Sequence, residues 1–119
     1  MRMDLSADIM RTLRRGQFDL SDVKTAQGDI FDWLTAEFPG HDIKRQYQVW
    51  HGAIADVWLD GVVIQVDLVQ PHPRPLFRQL DELAMGWACK AIIVATNRTL
   101  SLPKVLRSKP VAIFKLGAS

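Results

Sequence analysis

The sequence predicts an α/β fold, a mixed central sheet flanked by helices, and three observations predict it. Apolar residues between Val23 and Glu37 recur at helical spacing. An Asp60-Gly61 pair divides two alternating, β-branched runs. An amphipathic stretch beginning at Leu76 leads into the apolar run AIIVAT at Ala91–Thr96. The first pattern marks a helix with one buried stripe and the second a hairpin, because both central residues of a type I′ turn need positive φ. The third marks a buried strand reached through a helical crossover and therefore parallel to an earlier one.

Taken in order, Ser6 is placed to cap a short helix running to about Arg15, with Gly16 as its stop. A second helix over 23–37 gathers Val23, Ile30, Phe31, Leu34 and Phe38 on one stripe, and Pro39-Gly40 closes it. Gly28 is the one poor helix former inside it. Over 42–50, Ile43, Tyr47 and Val49 alternate with Lys44, Gln46 and Gln48, which reads as a strand joined through His51-Gly52 to the hairpin. In that hairpin Leu59 pairs with Val62, Trp58 with Val63 and Val57 with Ile64, so Asp56 falls opposite Gln65. The period of two then assigns Ala55, Val57, Leu59, Val62, Ile64, Val66 and Leu68 to an apolar core face. Ile54, Asp56, Trp58, Val63, Gln65 and Asp67 share the other. The prolines of QPHPRP, residues 70–75, exclude a central strand. A helix follows over 76–90 with Leu76, Leu80, Leu83, Ala84 and Trp87 as its stripe, then the strand at 91–96. One helical turn near 103–107 and a last strand at 111–115 complete the order helix, helix, three strands, helix, strand, strand.

A chain of 119 residues with 48% apolar content has the length of one domain and enough material for a packed core. Within it, 1–20 reads as an N-terminal helical extension, 24–96 as the core, and 97–119 as a basic loop with the final strand. No apolar stretch approaches the ~18 to 20 residues of a membrane span, and residues 1–16 lack the apolar centre of a signal peptide. Cytoplasmic residence without membrane contact is the expectation. Cys89, the one cysteine, forms no internal disulfide, and no Cys and His cluster has zinc-ligand spacing. The net charge is +2, yet from residue 83 onward there are six basic residues and no acid. A phosphate-tracking surface and ordinary solvated lysines both account for that asymmetry.

Asp56 and Asp67 stand diagonally across a strand pair, about 7 to 8 Å apart at the backbone. At an effective dielectric of ~20 and ~6 Å their repulsion is about 3 kcal/mol, so a positive charge or a proton belongs there. Magnesium or manganese suits the all-oxygen set of Asp56, Asp67, the Gln65 amide oxygen and the Val66 carbonyl. The same spacing also describes the wet face of an antiparallel sheet. Trp58 on that face either stacks on a nucleobase or packs under a helix or a second subunit. Trp33, Trp50 and Trp87 occupy apolar helical or strand-end positions and read as core, while His41 and His51 lie at turns with no chemical part.

Further residues carry a resemblance. Thr25, Gln27, Ile30, Phe31 and Leu34 on the helix, Lys44-Arg45-Gln46 on the first strand, Asp56 in ADVWL, the tract QVDLVQPH and the stretch from Leu80 to Ile93 stand in a recognisable order. Over about residues 24–96 this resembles the PD-(D/E)XK nuclease superfamily, most closely its very-short-patch-repair-like endonucleases. The resemblance implies a restriction-endonuclease-like αβββαβ core and a DNA endonuclease using Mg2+ or Mn2+. By that likeness Asp56 and Asp67 hold the metal beside Gln65, and His72 accepts a proton from the attacking water. Lys44 or Arg78 stabilises the transition-state charge, and Lys44, Arg45, Arg78, Arg98 and Lys104 contact nucleic acid. His72 between prolines is equally a loop surface residue, and Arg78 equally the wet side of its helix. The chain departs from the pattern where the family carries glutamates, at Gln27 and Gln65, and it has Asp67 where the family has lysine. Neutral amides add no charge to a cation's shell. The alternative implied is a catalytically degenerate homologue that binds nucleic acid or protein, with a homodimerisation module as a third reading.

Overall fold

Two helical layers enclose a six-stranded mixed sheet in the computed structural model, which describes residues 4–69 and 75–117. Helix α1 spans Leu5–Leu13, and its N-cap is Asp4, whose carboxylate accepts the Ser6 amide at 3.0 Å. The cap is thus two residues ahead of the Ser6 expected from sequence, and the helix stops at Leu13 instead of Arg15. Helix α2 covers Val23–Glu37 as its periodicity predicts. The Asp22 carboxylate caps it by accepting the Thr25 amide at 2.8 Å and the Thr25 hydroxyl at 2.9 Å.

Strands β1 (Ile43–Trp50), β2 (Ala53–Leu59) and β3 (Val62–Asp67) form an antiparallel meander. Helix α3 (Leu76–Ala84) then crosses to β4 (Ala91–Thr96), parallel to β3, and β5 (Val105–Leu106) and β6 (Lys109–Lys115) complete the order β1-β2-β3-β4-β6-β5. The β2–β3 turn has Asp60 at φ 46° and Gly61 at φ 98°, and the predicted pairs from Val57↔Ile64 to Leu59↔Val62 are in register. Its tip is tied down: Asp60 exchanges hydrogen bonds with the Asp42 backbone, and its carboxylate lies 2.6 Å from His41 Nδ1. His41 therefore has a structural role that its turn position did not reveal.

Helices α1 and α2 set Ile9, Leu13, Ala26, Ile30 and Leu34 against one face of the sheet. Helix α3 sets Leu76, Leu80 and Leu83 against the other. Strands β3 and β4 are buried on both faces, which is why their sequences are almost continuously apolar. The single apolar face expected for the hairpin is divided between these layers. Val57 and Leu59 pack with α1 and α2, whereas Ala55 packs with α3. Strand β1 changes sides as well, at Gln46, which adopts φ 52° and interrupts the β1–β2 pairing between Arg45↔Val57 and Tyr47↔Ala55. A left-handed residue breaks strand alternation, so Ile43 packs on the α2 layer while Val49, of the same parity, packs on the α3 layer.

Two further expectations are corrected. Helix α3 ends at Ala84 instead of running to Lys90, because Gly86 turns the chain where a Cβ would lie 2.2 Å from the Val49 carbonyl oxygen. Trp87 thereby leaves the helical stripe and is 78% exposed, not core. Trp33 and Trp50 are partly buried against the two cores, and the Trp33 indole donates to the Thr12 carbonyl at 3.0 Å. The helical turn expected near 103–107 is instead β5 and the start of a hairpin, whose turn residues Arg107 and Ser108 take φ 47° and 64°. An Arg-Ser pair lacks the Gly and Asn signature of such turns. Here Arg107 is held by a bidentate pair with Asp81, at 2.9 and 3.1 Å, which keeps its guanidinium pKa raised. No described helix is long and apolar enough to cross a membrane.

Replacing Gly86 with Ala is expected to destabilise the chain by about 2 kcal/mol or more, read from urea unfolding, since backbone must move to admit the methyl group. The Thr25 amide and hydroxyl hold the Asp22 carboxyl below its ordinary value. A depressed folded pKa adds stability that is complete above the unfolded pKa of about 4 and is lost as pH falls through the folded value. The stability gap between wild type and Asp22→Ala is therefore expected to be constant near neutrality and to narrow below about pH 4; a gap independent of pH would contradict this origin.

Candidate functional site

The backbone pairing of β2 with β3 stops at Val57↔Ile64, and side chains take over at the next position. The Gln65 amide oxygen accepts the Asp56 N–H at 2.6 Å, and the Asp56 carboxylate accepts the Val66 N–H at 2.9 Å. Asp56 and Gln65 thus stand opposite one another as the register predicts. They do not form a solvent face: Asp56 is 3% exposed and Gln65 fully buried. Gln65 alternates with Val63, on the sheet side that α3 covers.

Asp67, 2% exposed, lies across the parallel β3–β4 pair from Thr96. Its carboxylate accepts the Thr96 hydroxyl at 3.0 Å and a bidentate pair from Arg98, Nε at 2.6 Å and Nη2 at 3.1 Å. The Arg98 amide donates to the same Thr96 hydroxyl at 3.1 Å, closing a small network. Hydrogen bonding to Asp67 raises the Arg98 pKa further, so the guanidinium stays charged. The positive charge that the carboxylates call for is supplied, at Asp67, by Arg98. Thr96, which the sequence reading left out, had one visible signal: it is the only hydroxyl in AIIVAT, at the strand end that faces Asp67.

Gln27 on α2 accepts a hydrogen bond from the Gln46 amide at 3.1 Å. Since Gln46 lies between the pairs Arg45↔Val57 and Tyr47↔Ala55, it stands across from Asp56 and links the helix to the site. The Gln65 Nε2 and the Gln79 Oε1 are buried without a hydrogen-bond partner among the described residues, one donor and one acceptor. Trp58 packs on the α3 core and donates its indole N–H to the Ala88 carbonyl at 2.9 Å, in keeping with its packing role.

The basic residues singled out from sequence do not converge. Lys44 pairs with Asp42 at 3.1 Å, and Arg45 donates to the Lys24 carbonyl at 3.1 Å, both from the edge strand β1. Arg78 pairs with Glu82 on the exposed side of α3, and Lys104 is exposed beyond β4. Strands β1 and β4 are three strand spacings apart, about 14 Å. His72 lies outside the described residues.

A magnesium or manganese ion needs several oxygen donors with open lone pairs. Here the Gln65 oxygen, the Asp56 Oδ2 and both oxygens of Asp67 are already accepting hydrogen bonds within the protein. Among the described residues, no three His, Cys, Asp or Glu side chains gather as a metal-binding group. At Asp67 a divalent ion would have to displace Arg98.

Truncating Arg98 to Ala is expected to cost about 2 to 3 kcal/mol, because it strands a buried carboxylate. In a double-mutant cycle with Asp67→Asn the losses should be far from additive, and additive losses in urea unfolding would show the pair to be uncoupled. No protein family, curated protein or solved structure matches the chain, so the site is read from its own geometry.

Proposed function

We propose that the chain is a restriction-endonuclease-like domain that binds nucleic acid without cutting it, the catalytically degenerate reading of the resemblance. The observation that carries this is the bidentate Arg98 on buried Asp67, together with a neutral Gln65 where the resemblance expects an acid. Hydrolysis of a phosphodiester through divalent metal uses open anionic oxygens, and those of Asp67 are held by Arg98.

Charge supports the nucleic-acid part. On the half of the sheet formed by β4, β5 and β6, Arg98 and Arg107 face carboxylates. Lys90, Lys104, Lys109 and Lys115 form no ion pair with one among the described residues. A surplus of unpaired cations attracts a polyanion by counterion release, with no need for a metal. The second reading, a Mg2+- or Mn2+-dependent endonuclease, is favoured by one observation, the opposition of Asp56 and Gln65 across β2 and β3 two residues from Asp67.

Supercoiled plasmid incubated with the protein in magnesium or manganese, beside an Asp56→Asn control, separates the two. The expected outcome is intact plasmid in both, with DNA binding that weakens steeply with salt and is the same in chelator. Nicking by the wild type and not by Asp56→Asn would establish the endonuclease instead, and absence of DNA binding at low salt would remove the nucleic-acid reading.

A further inference from the structure

We infer that Trp87 is a stacking platform for single-stranded nucleic acid, with the Lys109 ammonium at the same turn and the exposed Lys90, whose stem lies along Gly61, supplying charge for the phosphates. This rests on the nucleic-acid reading above and names its substrate form and its contact. An indole buries 150 to 250 Å2 in an ordinary core, whereas this one is 78% exposed, leaving ring surface open to solvent.

The exposure is built into the fold. Gly86 is seated against the Val49 carbonyl, closer than any side chain permits. The Gly86 amide donates to the Leu83 carbonyl and the Cys89 amide to the Gly86 carbonyl, each at 3.1 Å. The Lys109 ammonium donates to the Gly86 and Cys89 carbonyls, so the turn bearing Trp87 is fixed from both ends. Trp50, half-buried on the α3 core, meets Trp87 edge-on with ring centroids 5.5 Å apart and planes at 75°. A flat ring held in place before binding loses little entropy when a base stacks on it.

The charges around the turn choose the ligand. The acids on the adjoining helix are neutralised in place, Asp81 by Arg107 and Glu82 by Arg78. Among the described residues, Lys109 bonds carbonyls and neither it nor the exposed Lys90 pairs with a carboxylate. A ligand that offers a flat aromatic face together with anionic charge satisfies both features. In a duplex the base faces are covered by their neighbours, so a single strand is the form that can stack.

Binding of oligothymidylate, followed by quenching of tryptophan emission and by anisotropy of a labelled strand, tests this in wild type, Trp87→Ala, Trp87→Phe and Lys90→Gln. Trp87→Ala is expected to weaken binding by about 5- to 100-fold and Trp87→Phe by much less. Lys90→Gln should lower the salt slope by about one. Heparin, a polyanion without bases, should bind all Trp87 variants alike. Since Trp87 is exposed, unchanged thermal melts would confirm that the variants fold. Equal oligothymidylate affinity of wild type and Trp87→Ala overturns the platform while leaving DNA binding intact. Loss of binding to single strand and duplex alike at low salt overturns the function itself. Self-association abolished by Trp87→Ala, with unchanged oligothymidylate affinity, would assign the surface to a second copy of the chain.

Discussion

Strand β3 is buried on both faces along its whole length, with α1 and α2 on one side and α3 on the other. A polar group in that position has no water to fall back on and must find its partner inside the protein. Most of the polar chemistry of the molecule follows from this. Gln65 and Asp56 replace the missing rungs of the β2–β3 ladder with side-chain hydrogen bonds, and Asp67 is answered by Thr96 and Arg98. The groups that would make a metal site are the same groups that close the sheet, and at Asp67 a metal would have to take the place of Arg98.

The second constraint is local and lies in one residue. Gln46 in a left-handed conformation turns the outer half of β1 over, so that Val49 joins the α3 core alongside Ala53 and Ala55 of β2. That turn brings the Val49 carbonyl onto Gly86, and the close approach ends α3 and sets Trp87 outside the core. A polar strand residue, linked to Gln27 of α2, is thus connected through packing to the most exposed tryptophan of the chain. The electrostatics follow a similar division. Arginines near acids pair with them in bidentate fashion at Asp67 and Asp81, while among the described residues the lysines of the same half pair with no carboxylate. The planar guanidinium suits fixed pairing, and the lysine ammonium remains available as a point charge.

Much of the backbone was legible in the sequence. The periodicity of α2, the Asp60-Gly61 turn and the AIIVAT strand are local signals, decided by side-chain spacing and by the φ that a glycine tolerates. They determined the α/β class, the register of the β2–β3 hairpin and the opposition of Asp56 and Gln65. What the sequence could not decide were events that depend on a distant partner. The end of α3 is set by a carbonyl on β1, the β5–β6 turn is held by an aspartate on α3, and β1 changes sides at a left-handed Gln46. The state of the acidic cluster is of the same kind. Spacing predicts two carboxylates on one sheet side, but only the tertiary structure sets Arg98 against Asp67, because that pairing joins residues 31 positions apart across parallel strands.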